Sequence, residues 1–404
     1  MIPDRTKCEL AHLYFNPKKH KDGIPVRPIE STIRASTRNI SKFLDHIIRT
    51  IFDKQCRTTT IIDGTSLIQA LNKHIKKGLF KSSTLFCIFD IRNLYTMLPQ
   101  DEALDILIEF IHVHGYTKVK GIDLQTIKEL ASIVLKENVF VYDKKIYRQT
   151  IGGAMELVRR QDISNEFYGR YIDDIFIPWN KSEKELIKLL EEANIWHPNI
   201  ELDYKIGQSL PFLDVLVMND KGNLSTSVYH KPAVEPYVVP SISDHPRDVF
   251  SNVIQTALAR AIRYSSTFET YQQERRNIKL MLLYNSYPSS FIETEFQKFY
   301  RQYIPTTSSL SFIPNENEFF LIRHKLLNQP TARQSQLAMS ATRADLPNYS
   351  TYQAQIQSKQ TTKNPDYQEK VEASKLIFTI HMKNDSNHLN EICIKFTTMS
   401  SRIH

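Results

Sequence analysis

Three aspartates stand where two apolar stretches of the sequence end. Asp90 closes the run 84–90, which predicts a buried strand, and Asp173 and Asp174 interrupt the apolar segment 168–179. That second segment predicts a strand, a tight turn and a second strand. If these strands are neighbours in one sheet, the three carboxylates converge at one edge of it.

Carboxylates at rigid strand ends suit a hard divalent cation such as Mg²⁺, which prefers oxygen ligands and keeps several waters. Two such ions, about 4 Å apart, can activate a hydroxyl nucleophile and stabilise the leaving group in nucleotidyl transfer. Two adjacent acids also repel each other, so they are costly in a strand unless they face water or cations. An ordinary hairpin turn is the alternative, because Asp is common in turns.

The distribution of charge favours a polyanionic partner. The formal net charge is +8, and residues 1–57 hold twelve Lys and Arg against six Asp and Glu. Cations that contact phosphates release condensed counterions, which drives binding to nucleic acid. A solvated basic surface is the alternative. No glycine pattern of a mononucleotide-binding fold is present.

The cysteines and the apolar content bear on the compartment. The four cysteines, at positions 8, 56, 87 and 393, lack metal-ligand spacing and suggest no disulfide framework. We therefore expect a reducing compartment, the nucleus or the cytoplasm. No leader sequence and no long apolar run is evident, so neither secretion nor membrane insertion is expected.

Apolar periodicity and turn residues predict the elements that position these carboxylates. Helices are expected at about 39–52, after Pro99, at 123–136, from the capping box of Ser182 and Glu185 to about 194, from Pro246, and at 268–284. The helix after Pro99 carries Ala103, Ile106, Leu107 and Phe110 on one face. Strands are expected at 200–206, 210–217 and 223–230, with a hairpin at 139–148. Residues 330–365, rich in Ser, Thr, Gln and Asn, predict a mobile linker.

Five motifs in a fixed order carry a family resemblance. Tyr171-Ile172-Asp173-Asp174 resembles the Tyr-x-Asp-Asp box of reverse transcriptases. The other four segments are similar to motifs of Penelope-like retroelement reverse transcriptases: 27–29 (Arg-Pro-Ile), 89–99 (Phe-Asp-Ile-Arg-Asn-Leu-Tyr-Thr-Met-Leu-Pro), 210–215 (Leu-Pro-Phe-Leu-Asp-Val) and 228–232 (Val-Tyr-His-Lys-Pro). Order and spacing agree over about residues 12–303.

The resemblance implies an α+β fold of the right-hand polymerase class. Its parts would be fingers at 1–80, a palm at 81–232 with an antiparallel sheet backed by helices, and a helical thumb at 245–303. Residues 304–404 would form a C-terminal extension that contains the linker. The implied activity is RNA-directed DNA polymerisation with an RNA template, a DNA primer, deoxynucleoside triphosphates and Mg²⁺ or Mn²⁺.

The resemblance also assigns roles by position. Asp90, Asp173 and Asp174 match the catalytic, metal-binding acids, and Tyr95 matches a steric gate against the ribose 2′-hydroxyl, a core tyrosine being the alternative. The nucleotide-binding residues would be Arg27, Lys18, Lys21, Tyr95 and Gln149, and the nucleic-acid-binding residues Arg260, Arg263, Arg275, Arg276 and Lys279. Asp214 is interpreted as structural.

One stretch departs from the family pattern. Residues 149–155 begin a Gly-rich box that normally supports the template and the nucleotide base, yet only 17 residues separate Met155 from Asp173. The resemblance therefore implies an internal deletion after Met155. We also find no Gly-Ile-Tyr…Tyr-Ile-Gly motif of the endonuclease module that many relatives carry.

Three functions stay open on the sequence. The first is an active reverse transcriptase, and the second is a catalytically impaired, nucleic-acid-binding remnant of one. The third is a protein-interaction scaffold built on the helical thumb and the tail. The sequence leaves the oligomeric state open.

Overall fold

The computed structural model describes residues 8–17, 26–92, 97, 99–151, 167–195, 198, 201–231, 238–304, 313, 315–344, 381–383 and 391–393, the last two segments and 340–344 by their backbone. The three cysteines among these residues with described side chains carry free thiols. Within the described part of the chain, no helix has both the length and the apolar character needed to cross a membrane.

Strands and helices alternate through the first half of the chain, and helices dominate the second. The strands are β1 (Ala11–Pro17), β2 (Val26–Ser31), β3 (Leu85–Ile91), β4 (Lys118–Val119), β5 (Ile122–Asp123), β6 (Val139–Tyr142), β7 (Lys145–Arg148), β8 (Gly169–Tyr171), β9 (Asp174–Trp179), β10 (Leu202–Gly207), β11 (Ser209–Phe212), β12 (Val215–Asp220), β13 (Asn223–Val228), β14 (His381–Lys383) and β15 (Glu391–Cys393). The helices are α1 (Arg38–Gln55), α2 (Gly64–Lys76), α3 (Gln100–Val113), α4 (Leu124–Lys136), α5 (Glu183–Ile195), α6 (Arg247–Tyr264), α7 (Phe268–Tyr284), α8 (Ser289–Arg301), α9 (Glu316–Asn328) and α10 (Ala332–Ala344).

The central sheet has the strand order β10-β3-β9-β8, and each neighbouring pair is antiparallel. Alternate residues of a strand point to opposite faces, and both faces are covered here. Cys87 and Phe89 belong to an apolar cluster with α1, α3 and α4, whereas Phe86 and Phe176 belong to a second cluster with α2 and the hairpins β11–β13. Burial on both faces explains why these strands are continuous apolar runs rather than alternating ones.

The elements predicted around this sheet are largely confirmed. The segment 84–90 is β3 and 168–179 is the hairpin β8–β9. The predicted helices after Pro99, at 123–136 and at 268–284 are α3, α4 and α7. On α3 the four residues of the predicted apolar face, Ala103, Ile106, Leu107 and Phe110, are buried.

A second four-stranded sheet has the order β2-β1-β6-β7. The predicted hairpin at 139–148 is confirmed as β6–β7, and its turn residues Asp143 and Lys144 have φ values of 48° and 60°. Two successive left-handed residues match the twist of a two-residue hairpin turn. β1 joins this hairpin by a parallel pairing with β6.

The predicted strand at 210–217 is wrong, because it consists of two strands. β11 pairs with β12 across the turn Leu213-Asp214, with Phe212 opposite Val215 and Leu213 at φ 55°. A left-handed turn residue is usually Gly, Asn or Asp, so a leucine hides the turn within an apolar run. β12 and β13 then form a hairpin across Lys221 and Gly222, which have φ values of 50° and 95°.

A helical unit follows the sheets, and it extends past residue 303. Helices α6 to α9 share one apolar cluster, to which Ile254 and Tyr271 belong on the near side of that boundary, and Ile313, Phe319 and Ile322 on the far side. The expected C-terminal extension therefore begins inside this unit. Its helices pack because each presents an apolar stripe at helical spacing.

The expectation of a mobile linker at 330–365 is wrong for its first part, because α10 occupies Ala332–Ala344. Thr331 and Gln334 form a capping box: Thr331 N donates to Gln334 Oε1 at 3.1 Å, and Gln334 N donates to Thr331 Oγ1 at 3.2 Å. Ala, Arg, Gln and Leu in this stretch are good helix formers despite their low apolar content. Residues 345–365 lie outside the described residues.

Candidate active site

Asp90 and Asp174 lie on neighbouring antiparallel strands. Phe89 pairs with Ile175, so the next residues along each strand, Asp90 and Asp174, stand opposite each other on the face that carries Phe86 and Phe176. Asp173 occupies the turn between β8 and β9. The structure thus brings the three sequence-predicted carboxylates together at one end of the central sheet.

The turn that presents Asp173 is tight and strained. Tyr171 pairs with Asp174, which leaves only Ile172 and Asp173 to reverse the chain. Ile172 has φ 59°. The left-handed region costs an L-residue about 1–2 kcal/mol, and a β-branched side chain is unusual there. The packing around the hairpin must therefore hold this conformation.

The electrostatics of the cluster centre on Asp174. Its pKa is raised from 3.8 to about 7, first by burial, then by the negative charges of Asp173 and Asp90, while Lys231 opposes the shift. Near neutral pH, the carboxyl of Asp174 is therefore protonated in a substantial fraction of the molecules. A cation bound between the carboxylates would offset the same repulsion.

The donor chemistry fits a hard divalent cation, because the cluster offers carboxylate oxygens that repel one another. Among the residues with described side chains, no group of three or more His, Cys, Asp or Glu is arranged to hold a metal ion. Asp90 and Asp174 would therefore be the protein's main ligands. Water and substrate oxygens would complete the coordination, as is usual for Mg²⁺.

Arg170, on β8, stabilises the hairpin β8–β9 through contacts with α1 and with the segment between α1 and α2. The sequence alone predicts no role for it. Its side chain is 2% exposed and its guanidinium lies 4.7 Å from the centroid of the Phe52 ring. Its backbone N–H donates to Thr59 O at 2.8 Å, and its carbonyl accepts from Ile61 N at 2.7 Å. These contacts anchor β8 to the segment between α1 and α2. Its charge within an otherwise apolar segment is the sequence feature that could have indicated this role.

A pocket of about 470 Å³ opens beside Asp174. Its five charged lining residues lie far apart in the sequence, and the sequence alone does not predict that they meet. They are Asp63, Asp174, Asp214, Lys231 and Arg333. The lining therefore combines two cations with three carboxylates.

The start of α10 borders this pocket. Arg333 Nη1 donates to the Tyr171 hydroxyl at 3.0 Å, and the guanidinium lies 5.3 Å from the centroid of that ring. Asp63, the N-cap of α2, accepts from Thr331 Oγ1 at 2.6 Å and from Gln334 Nε2 at 3.3 Å. These bonds hold Arg333 against the Tyr171-Ile172-Asp173-Asp174 box.

The predicted nucleotide-binding residues are placed elsewhere or lie outside the described residues. Arg27 is exposed on β2 opposite Asn16, and Gln149 accepts from Asn138 Nδ2 at 2.9 Å; neither lines the pocket beside Asp174. Lys18, Lys21 and Tyr95 lie outside the described residues, as do residues 152–160 of the shortened box.

The predicted nucleic-acid-binding cations differ in how the fold engages them. Arg263 Nε donates to Leu326 O at 3.2 Å, Arg260 Nη1 lies 3.9 Å from Asp214 Oδ2, and Lys279 forms an ion pair with Glu293. Arg275 is half-buried and Arg276 is exposed. Of these five, Arg276 is the most accessible to a ligand.

One part of the chain matches a known family. Residues 237–297 match the animal helix-turn-helix domain family, a stretch that contains α6, α7 and most of α8. The match covers a minor share of the chain and describes the helical unit alone. No curated protein matches the chain in sequence.

Solved polymerases resemble the chain in structure. Telomerase from Candida albicans, solved with a TWJ fragment of telomeric RNA, gives a TM-score of 0.51 at 10% identity over 90% of this chain and 67% of that chain. The RNA-dependent RNA polymerase of a human picobirnavirus gives 0.45 at 10% identity, covering 78% and 65%. That of BmCPV gives 0.42 at 11% identity, covering 68% and 26%.

These likenesses bear on the fold. At such low identity a structural match shows the fold alone, and only the telomerase match has a TM-score above 0.5. The chain is therefore a mixed α/β protein with a polymerase-like fold similar to that of telomerase. It spans about two thirds of the telomerase chain that it matches.

Proposed function

We propose that the chain is an RNA-directed DNA polymerase of the Penelope-like retroelement type. The observation that carries this proposal is the placement of Asp90 opposite Asp174, with Asp173 in the connecting turn. The polymerase-like fold supports the reaction class. The order of the five sequence motifs supports the retroelement family.

In this proposal the central sheet belongs to a palm at 81–232, with fingers at 1–80 and a thumb at 245–303 that the packing of α9 extends. Two divalent ions, when bound, would lower the pKa of the primer 3′-hydroxyl and stabilise the pyrophosphate that leaves. Asp90 and Asp174 would hold these ions. Lys231 and Arg333, which also line the pocket, would contact phosphate oxygens.

Primer extension on an RNA template, with Mg²⁺ and then Mn²⁺, tests the proposal. Asp173→Asn is expected to abolish extension and to leave nucleic-acid binding largely intact, because the negative charge that Asp173 adds beside the metal ligands Asp90 and Asp174 is lost and the phosphate contacts remain. Asp220→Asn is the matched control, since Asp220 is an exposed carboxylate at the end of β12. Equal extension by both variants would remove Asp173 from the reaction.

Selection of the sugar of the incoming nucleotide allows a second test of the proposal. If Tyr95 is the steric gate that the family resemblance implies, Tyr95→Ala will incorporate ribonucleotides that the parent chain rejects. The measurement is extension with each nucleotide type in turn. An unchanged preference for deoxynucleotides would exclude Tyr95 from the nucleotide site.

A nucleic-acid-binding protein with impaired catalysis is the second candidate. It is favoured by the lack, among the described side chains, of a ready group of three metal ligands. The 17 residues between Met155 and Asp173 leave little room for the family's template-supporting helix. On this view catalysis suffers because it needs placement within a fraction of an ångström, whereas binding is spread over many contacts.

Comparison of the chain with a version whose shortened box is restored from a close relative separates the two candidates. Weak extension by the chain and strong extension by the restored version would favour impaired catalysis. Comparable extension by both would show that the shortening is tolerated. Affinity for nucleic acid that does not depend on salt would favour the third possibility, a protein-interaction scaffold.

A further inference from the structure

Four aromatic rings form a continuous row on the sheet β2-β1-β6-β7, outside the pocket beside Asp174. The centroids of Phe15 and Tyr142 are 5.5 Å apart, those of Tyr142 and Tyr147 are 6.5 Å apart, and those of Tyr147 and Phe140 are 5.8 Å apart. The proposed polymerase reaction uses none of these rings.

The strand registers place all four rings on one face of the sheet. Phe140 pairs with Tyr147 across the hairpin, and Tyr142 lies two residues along β6 from Phe140. Ala11 pairs with Phe140, so Phe15, four residues along β1, has the same facing. Tyr14, between Leu13 and Phe15, points to the opposite face.

The row is open over most of its length. Tyr142 is 43% exposed, Tyr147 42% and Phe15 41%, while Phe140 is half-buried at the base. Large aromatic side chains exposed together on one face are unusual, because burying them is strongly favourable. A ligand that covers the row would recover that free energy.

The surroundings of the row carry positive charge. The four strands and the turn of β6–β7 contain four Lys and Arg against two Asp and Glu. One of those acids, Glu30, is half-buried and accepts from Asn138 Nδ2 at 2.8 Å. Lys145 lies directly across from Tyr142.

We propose that this face binds an unpaired stretch of nucleic acid by stacking successive bases on Phe15, Tyr142 and Tyr147. Rings supply flat apolar surfaces for bases, and the flanking lysines attract the phosphates between them. A duplex cannot use the row, because its bases are already stacked on one another. The site is separate from the carboxylate cluster, so it goes beyond the proposed polymerase activity and does not depend on it.

Binding of short fluorescent oligo(dT) and oligo(U) by the full chain tests the proposal, with fluorescence anisotropy as the readout. Tyr142→Leu and Tyr147→Leu are each expected to weaken binding by roughly fivefold or more, as loss of one stacked base implies. Tyr142→Phe and Tyr147→Phe keep the rings and are expected to bind as the parent chain does. RNA and DNA should both bind, since every base has a π-face.

Tyr14→Leu is the matched control, because Tyr14 lies on the same strand as Phe15, is 47% exposed and faces the other way. An abasic oligomer of the same length tests stacking directly. The chain should bind this abasic oligomer weakly, and the Leu variants and the parent chain should bind it with equal affinity. Thermal unfolding checks that each variant is folded, and the Phe variants keep the test valid if a Leu variant unfolds.

Any of the following results would overturn the proposal. One is equal affinity for abasic and base-bearing oligomers, or an equal loss in Tyr14→Leu. The other is self-association of the parent chain that Tyr147→Leu abolishes, since the face would then be a contact between copies. Asp174→Asn separates this proposal from the polymerase: it should lose primer extension and retain oligonucleotide binding.

Discussion

The ionised carboxyl of Asp174 is the form that would bind a metal ion, but its charge lowers the stability of the folded chain. Its pKa in the folded chain is about 7, against 3.8 as the ordinary value, with burial as the first cause and Asp173 and Asp90 next. Between these two values the folded chain binds more protons than the unfolded chain does. Stability therefore falls as pH rises from about 4 to about 7, and the loss is complete above that window.

Asp174→Asn removes this loss. We expect the variant to unfold at a temperature a few degrees higher than the parent chain at about pH 8, and at the same temperature at about pH 4. Added Mg²⁺ should stabilise the parent chain and have little effect on the variant, because a bound ion stabilises only the form that binds it. Asp220→Asn is the control. A gain in melting temperature that is the same at both pH values would contradict the assigned cause.

Ile172 carries the strain of the turn in its backbone, at φ 59°. Ile172→Asn should raise the free energy of unfolding by about 1 kcal/mol, because Asn tolerates the left-handed region far better than a β-branched residue does. Ile146→Asn, at an exposed strand position of β7, should instead be slightly destabilising, since Asn is a poor strand former. Denaturant unfolding measures both, and destabilisation by Ile172→Asn would argue against strain at this turn.

How far the sequence predicts the site can be seen residue by residue. The positions of Asp90, Asp173 and Asp174 could be predicted, because each interrupts an apolar run of the sequence and lies in a motif. Asp63 and Arg333 could not, since they meet the box only through a contact between α2 and the start of α10. Local patterns report neighbours along the chain and carry little information on such distant pairs.

At the scale of elements, α2 is held unusually close to its neighbours at its first residue. A Cβ at Gly64 would lie 2.6 Å from both the Tyr264 ring of α6 and a methyl group of Val215 on β12. Glycine is required here by proximity rather than by backbone conformation. The contact joins the helical unit to the hairpins β11–β13 beside the pocket.

Gly64→Ala is expected to lower the free energy of unfolding by about 1–3 kcal/mol, because overpacking forces α2 away from Tyr264 and Val215. Val215→Ala should also be destabilising alone, through a cavity. The double variant should lose less than the two single losses together, since each change accommodates the other. Gly78→Ala is a useful contrast: open space surrounds Gly78, but its φ of 70° gives it a backbone cost instead. Additive losses in the double variant would show that the two sites are uncoupled.

Elements with a clear period or a clear turn signal could be predicted, and those without one could not. α3, α4 and α7 follow regular apolar stripes. The turn Leu213-Asp214 is hidden by an apolar residue in a left-handed conformation, and α10 is hidden by its polar composition. In both cases the tertiary contacts stabilise a structure that the local composition disguises.

At the scale of the whole molecule, the positive charge predicts affinity for nucleic acid that falls with salt. Each phosphate contact contributes to the slope of the logarithm of affinity against the logarithm of salt concentration. Arg276 is exposed, whereas Arg263 is engaged with Leu326 O. We expect Arg276→Ala to reduce the slope by about one and Arg263→Ala to change it little. Equal slopes for Arg276→Ala and the parent chain would remove Arg276 from the phosphate contacts.

The overall architecture was predictable in kind and less so in extent. Motif order predicted an α+β polymerase-like arrangement, and the likeness to telomerase supports the coarse statement. The expected boundary at residue 303 falls inside the apolar cluster of the helical unit, to which Phe319 and Ile322 also belong, and contacts between such distant parts of the chain leave no local pattern in the sequence.

The bond between Thr331 Oγ1 and Asp63 Oδ2 joins residues 268 positions apart in the chain, and that between Gln334 and Asp63 joins residues 271 apart. Loop closure over such a distance carries a large entropic cost before any contact offsets it. Asp63 already accepts from Ser66 N at 2.8 Å, so α2 can nucleate with a local cap. Thr331 and Gln334 are then expected to bond to Asp63 in a late folding step, after the helical unit has assembled. In a hydrogen-exchange measurement, the amides of α10 should be among the first to exchange.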